Sequence, residues 1–421
     1  MSKPTKIITI REFDEILREN DDKTSFSALE NFILSNKNNS ETDTLELLKL
    51  SAKKGVGKVI SAKNYVGIIT LKNGTTIEIL PKIANLDDDN DTTKKIFLKM
   101  LKTLKNSPFK EFNTSNLKTE KFTLLEIFIK MFLDKVSLLT RQGLKSAYVE
   151  TEENESFYKG KLLVSQNIRH NLANKERFFV RFDEFSINRP ENKLIKSTLK
   201  YLLGQTRTQT NQNEITKLLT HFELVDFSNN YDTDFSKVST NRSMKNYSEL
   251  INCCKIFLKG NSFTAFSGSE TAIALLFPME KIFESYVAAL FRKYLPQDFT
   301  IYTQDSGYYL FEENKKFRLK PDIVITSPKG EKIILDTKWK LLSLNENNYG
   351  ISQADMYQMY AYGKKYGAKK VILLYPNPNF DIEKEITYTA NDDVKVEVLF
   401  VNLKHVPLEI SKTLLFFAVY S

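Results

Sequence analysis

Two short apolar runs, Ile323-Val324-Ile325 and Ile333-Ile334-Leu335, flank the polar stretch Thr326-Ser327-Pro328-Lys329-Gly330. β-Branched residues dominate the runs, and neither alternates with polar positions. This predicts two adjacent strands, buried on both faces, around a turn. Similar runs predict strands over residues 7–10, 56–60, 65–71, 75–82, 299–303 and 370–375. Lys72-Asn73-Gly74 joins two of them as a hairpin signal. Apolar residues recurring every three or four positions predict helices over 94–105, 124–141, 191–203 and 354–362, and a helix opening at Phe277. In the second, Ile127, Phe128, Met131, Phe132 and Val136 form one stripe. Thr9 to Phe13 reads as an N-capped helix start.

Polar breaks at 35–43, 87–91 and 229–240 punctuate the pattern, and the last is the segment of weakest expected order. The chain divides into a β-rich α+β domain (1–90), a mainly helical middle region with a β segment near 147–185 (91–262), and an α/β domain (263–421). The last is expected to hold a central mixed sheet flanked by helices, in the order helix, three strands, helix, strand. Asp87-Asp88-Asp89-Asn90-Asp91 is expected in a surface loop; it lacks the glycine and distal glutamate of a calcium loop.

The candidate chemistry lies in the α/β domain. Asp322 follows Pro321 at the head of one buried run, and Asp336-Thr337-Lys338 closes the next. Residues two apart in a strand share a face, so Asp336 and Lys338 project together and Thr337 points away. With Asp322 at the end of the neighbouring strand, two carboxylates and an ammonium converge. Such a group suits phosphodiester hydrolysis. The carboxylates can hold Mg2+, with Mn2+ able to substitute, and the metal lowers the pKa of bound water and stabilises charge on the phosphoryl group. Lys338 would orient or deprotonate that water, and burial beside a metal is expected to depress its pKa. Gln358 and Tyr362, four apart, share a helix face and are candidates for the same site. A helical glutamate, Glu280 or Glu284, would be a third metal ligand, and spacing leaves the two open. Each residue also has a plainer reading: D-x-K is a common tripeptide, helix aromatics pack cores, and helix glutamates face water.

The composition is globular, with 41% hydrophobic and 27% charged residues. The net charge of +9 favours a polyanionic partner, although lysine supplies nearly all of the excess in a lysine- and asparagine-rich chain. Arg169, Arg177, Arg181 and Arg189 form the densest arginine region, suited to phosphate, to a partner's nucleotide site, or simply to a polar strand face. His170 stands alone, which argues against a catalytic histidine. Cys253 and Cys254 are adjacent and suit neither a zinc site nor a staple; they fit a reducing, cytoplasmic setting. No apolar run has membrane-spanning length, and no membrane association is expected. Lys54-Gly55-Val56-Gly57-Lys58 has the wrong spacing for a phosphate loop, so any nucleotide-driven motor must be another protein.

P-D…D-x-K resembles the PD-(D/E)xK nucleases, and Gln358 to Tyr362 is similar to the Q-x-x-x-Y motif of their RecB-type members. A longer ordered set resembles the McrC family, nuclease subunits of McrBC-type 5-methylcytosine restriction systems. It comprises residues 66–83, 158–162, 188–196, 279–287, 321–324, 335–340 and 355–362. The resemblance implies an α+β N-terminal partner-binding region followed by a restriction-endonuclease-like α/β domain. It implies double-stranded DNA as substrate and a hexameric McrB-like AAA+ GTPase as partner, whose GTP hydrolysis the N-terminal part stimulates. The partner would read the modified cytosine; LlaJI-type relatives use a similar subunit. The family pattern favours Glu284 over Glu280. Thr337 departs from the usual alanine and, pointing away from the metal, is expected to be harmless. Two alternatives are an activating adaptor of the GTPase and a stand-alone RecB- or Cas4-like repair nuclease. The latter usually carries an iron–sulfur cysteine set or a helicase motor, and neither is found here.

Overall fold

The computed structural model describes residues 6–18, 23–35, 48–83, 90–105, 107–109, 122–239, 244–259, 271–343, 345–368, 370–377 and 386–403. In chain order its first elements are β1 (Ile7–Arg11), β2 (Glu15–Leu17), α1 (Lys23–Ser35), β3 (Leu48–Lys53), β4 (Gly57–Ala62), β5 (Tyr65–Leu71), β6 (Thr76–Leu80) and α2 (Asn90–Leu101). Next come α3 (Leu124–Gln142), β7 (Ala147–Glu155), β8 (Lys161–Leu162), α4 (Val164–Asn171), β9 (Phe178–Ser186), α5 (Pro190–Leu203), α6 (Gln209–Thr220), α7 (Tyr231–Ser236) and α8 (Lys245–Lys259). Then follow β10 (Thr271–Pro278), α9 (Met279–Tyr294), β11 (Thr300–Thr303), β12 (Tyr309–Phe311), β13 (Lys316–Arg318), β14 (Ile323–Thr326), β15 (Lys332–Thr337), α10 (Gln353–Tyr366), β16 (Lys370–Pro376), β17 (Ile386–Thr389) and β18 (Lys395–Val401). No described helix is long and apolar enough to cross a membrane.

Met1–Lys121 and Ser262–Ser421 form one unit, and Phe122–Asn261 a second. Segments 1–90 and 263–421, remote along the chain, therefore share a unit. In the first unit, β5 and β6 make the expected hairpin, with Gly74 at φ 91°. β1 joins β6 in parallel, and β10 joins β5 in antiparallel. At Gly67, φ is 143° and an added Cβ would stand 1.9 Å from the Leu275 carbonyl oxygen, so only glycine lets β10 approach β5. A second sheet, β2-β4-β3, shares a core with the first, and Phe26, Leu29, Phe32 and Ile33 of α1 pack into it.

Three expectations change here. Thr9 to Phe13 does not begin a helix: β6 claims the backbone of Ile7–Arg11, and a tight turn follows. In that turn Asp14 N donates to Arg11 O (3.0 Å), and Phe13 takes φ 67°. The helix expected to open at Phe277 begins at Met279 instead, since Phe277 and Pro278 end strand β10, whose earlier residues carry no period that tells strand from helix. Asn90 and Asp91 open α2 rather than continuing a loop; residues 87–89 and the break at 36–43 lie outside the described residues.

The third sheet has the order β11-β14-β15-β16-β18-β17. α9, β11, β14, β15, α10 and β16 realise the expected helix, strand and helix order, with the small β12–β13 hairpin inserted. Met359, Tyr362 and Tyr366 of α10 cover Val324, Ile334, Val371, Leu373 and Val398 on one face. β14 and β15 are antiparallel, with Ile323 opposite Leu335; one residue further, that register sets Asp322 opposite Asp336. β15 runs parallel to β16, which buries it centrally.

In the second unit the expected stripe of α3 is buried. Glu126, also buried, accepts from Thr206 Oγ1 (2.6 Å), Arg207 N (2.7 Å), Thr208 Oγ1 (3.0 Å) and Asn211 Nδ2 (2.7 Å), tying α3 to the start of α6. β7, β9 and β8 form an antiparallel sheet. The segment of weakest expected order contains α7, whose N-cap Asn230 accepts from Thr233 N (3.1 Å).

Candidate active site

Three elements and one loop bring the candidate residues to the end of β15. α9 carries Glu284, the residues before β14 carry Asp322, β15 runs into Asp336-Thr337-Lys338, and α10 carries Gln358 and Tyr362. α10 starts where its sequence provides a cap, with Ser352 Oγ accepting from Asp355 N (3.5 Å), and ends on Gly367 at φ 61°.

Asp336 and Lys338 project together, as their spacing requires. Nζ lies 3.0 Å from Asp336 Oδ2, an ion pair without hydrogen-bond alignment, and Asp336 is 3% exposed. Lys338 also reaches Asp355 Oδ1 (3.3 Å) and donates to Gln358 Oε1 (3.2 Å). Gln358 Nε2 in turn donates to the hydroxyl of buried Tyr362 (2.8 Å). On the other side, Gln304 Nε2 donates to Glu284 Oε1 (2.5 Å) and Asp322 Oδ1 (3.1 Å). The second Asp322 oxygen accepts from the Thr337 amide (2.8 Å) and the Thr337 hydroxyl (2.7 Å). Glu280 is exposed and not part of this network.

The electrostatics are those of crowded acids. Burial first, and the Asp322 charge second, push Glu284 up to about 7. The same two causes push Asp336 up to about 6, against the pull of Lys338. Burial, then the Asp336 charge, push Tyr362 up to about 12. The depression expected for Lys338 assumed a neighbouring metal, and the side chains alone do not produce it. Burial does pull it down, but the Asp336 and Asp355 carboxylates outweigh burial and hold the ammonium above its ordinary range. Among these side chains alone the Lys338 ammonium is held charged.

Whether a divalent cation suits these residues has two parts. The donors fit: all are carboxylate oxygens, they repel one another, and one, Asp336 Oδ2, is buried without a hydrogen-bond partner. Their placement is less closed. Among the described residues, no three aspartate, glutamate, histidine or cysteine side chains are gathered tightly enough to hold an ion as they stand. The Gln304 amide sits between two of the three carboxylates.

Sequence reasoning missed Gln304, Asp355 and the part played by Thr337. Gln304 lies outside any motif; its one local mark is a left-handed backbone, φ 55°, pinned by Gln304 N to Asp322 O (2.9 Å). Thr337 does not turn away from the candidate ligands: its hydroxyl holds Asp322, so it is not a neutral departure. Of the four arginines, Arg189 is buried and bidentate to Glu191, and Arg181 pairs with Glu152 and Glu150 across β7 and β9; Arg169 and Arg177 are exposed. His170 stacks on Phe179.

Residues 60–376 match the family described as McrBC 5-methylcytosine restriction system component. The chain belongs to that family. The matched span holds every candidate residue, and the family is the one the ordered motifs resemble. Among solved structures, the chain is similar to one in the refined half-complex from a tetradecameric assembly of Thermococcus gammatolerans McrB AAA+ hexamers with bound McrC. Identity is 19%, coverage is 97% of this chain and 98% of that one, and the TM-score is 0.70, a likeness of fold. A chain of the Thermococcus gammatolerans McrBC complex, at 19% identity, aligns over 68% of this chain and 88% of its own with a TM-score of 0.48. Curated proteins gave no match.

Proposed function

We propose that this chain is the nuclease subunit of a McrBC-type restriction system, a PD-(D/E)xK endonuclease that cleaves DNA phosphodiester bonds with Mg2+ and acts with a McrB-like AAA+ GTPase. The observation that carries the reading is the convergence of Glu284, Asp322, Asp336, Lys338, Gln358 and Tyr362 on one sheet end, in a chain of this family. Glu284, Asp322 and Asp336 would hold the cation. Bound there, Mg2+ would acidify water and stabilise charge on the phosphoryl group.

The rest of the work belongs to the side chains. Lys338, kept protonated by two carboxylates, stabilises the charge that develops on phosphate oxygens. Gln358, held by Tyr362, fixes the direction of the Lys338 ammonium. Thr337 fixes the rotamer of Asp322, leaving Oδ1 to face the site. The McrB AAA+ hexamers of the related assembly are the reason to place an AAA+ partner beside this chain, GTP being what the family resemblance implies, and no phosphate loop of its own argues otherwise.

The test is cleavage of modified DNA by the full chain with its partner, GTP and Mg2+. Asp336→Ala and Lys338→Ala should each lower the rate at least about a hundredfold, in the range for losing a charge-stabilising group. Partner GTP hydrolysis should persist in both. Undiminished cutting by either variant would show the site to be misassigned.

A further inference from the structure

We propose that the cleft beside Lys338 seats the DNA strand next to the scissile phosphate, and that the β1–β2 turn of the N-terminal segment is its outer wall. The inference rests on the nuclease reading and extends the substrate site to Phe13 and Lys82, with buried Glu12 holding Trp339 in place.

The cleft holds about 500 Å3, and Phe13, Lys82, Trp339 and Lys338 line it. That volume lies within the range of nucleotide-sized sites. Its construction is specific. Glu12 is fully buried, and both its carboxylate oxygens accept from Trp339 Nε1 (3.2 and 3.0 Å). The Lys82 amide donates to the same carboxylate (3.1 Å). A residue 327 positions away is thus clamped onto the one that follows Lys338. The Trp339 ring also lies 5.4 Å from that of Phe283 on α9, which fixes its plane.

Phe13 is the second sign. Its backbone is left-handed at φ 67°, a conformation that bulky residues avoid, yet its ring is 53% exposed. Phe317 shares the left-handed, exposed state, so it is the place of Phe13 on the wall of the cleft beside Lys338 that points to a ligand. The turn is pinned by Glu12 N to Leu80 O (2.9 Å), Phe13 N to Ala62 O (3.1 Å) and Arg11 N to Asp14 Oδ2 (2.9 Å).

The charges select the ligand. Asp355 is spent on Lys338, and Lys340 donates to the Gly350 carbonyl (2.5 Å). Exposed Lys82 forms no ion pair among the described residues and suits a phosphate. Glu280, the remaining carboxylate, suits a base amine. An aromatic floor, an aromatic rim and the exposed cations Lys82 and Lys340 match a nucleotide adjacent to the phosphate at Lys338.

The test measures binding of a short fluorescein-labelled DNA duplex by the full chain, in an Asp336→Asn background that leaves the DNA intact. Phe13→Asn should weaken binding about fivefold or more without changing its salt dependence. Lys82→Gln should flatten the slope of log affinity on log salt by about one. Lys49→Gln, exposed in the same unit, should do neither. Asparagine tolerates the left-handed backbone, so Phe13→Asn should melt no lower than its parent; a ring that serves only packing would melt lower, and that result would overturn the proposal. Parental affinity and slope in both variants would also overturn it. If that happens while Asp336→Ala abolishes cleavage, the cleft fails and the nuclease reading stands; if Asp336→Ala still cuts, the nuclease reading fails.

Discussion

Asp336 shows at the scale of one residue how a site can oppose its own fold. Its carboxyl titrates near 3.8 in the unfolded chain and is pushed up to about 6 by burial and Asp322. Between those values the unfolded chain has released a proton that the folded chain still holds. Stability therefore falls as pH rises through that window and levels off above it. Without metal, Asp336→Asn should stabilise the protein at neutral pH by about 2 kcal/mol, with the gain vanishing below about pH 4. Melting curves in chelator at the two pH values check this; equal shifts at both would contradict it. Gln304 has the opposite sign. Its amide separates Glu284 from Asp322, so Gln304→Ala should lower apo stability by about 1 kcal/mol and enlarge the melting shift produced by Mg2+. A shift no larger than in the parent would show that the amide does not compete with the ion.

Among elements, β10 carries the most consequence for the least sequence signal. It crosses beside β5 only because Gly67 has no side chain. A Cβ there meets backbone, which cannot rotate aside, so Gly67→Ala should cost at least about 2 kcal/mol in chemical denaturation. A loss under about 0.5 kcal/mol would mean that the strands separate without penalty. β14 and β15 behave differently, since their β-branched runs and the turn at Gly330 (φ 83°) specify the hairpin locally. The helix expected from Thr9 shows the reverse: pairing with β6 satisfies the backbone groups that a capped helix start would have used.

At the scale of the molecule, the first unit closes only when its two chain segments meet. A chain stopped before Ser262 would leave the β5 edge unpaired and apolar, and is expected to aggregate. Phe122–Asn261, contiguous and with its own core, should remain soluble and unfold in one transition. Size-exclusion chromatography with circular dichroism on both pieces decides the matter. A soluble, folded 1–261 fragment would count against the shared-unit view.

Much of the site was legible because its signals are local. Strand period fixes Asp336 and Lys338 on one side, helix period fixes Gln358 and Tyr362, and Pro321-Asp322 before a buried run places the second carboxylate. The family followed from the order of such pieces. What the tertiary structure alone decided are the contacts between groups far apart in the chain. Gln304 between two acids, Thr337 on Asp322, and Glu12 beneath Trp339 depend on which backbone ends meet, and no local period encodes that. The rise of Lys338 has the same origin. Its sign is set by how many carboxylates surround the ammonium, and Asp355 joins Asp336 there only because α10 packs against β15. Local sequence specified the candidate groups; packing specified their charge and their neighbours.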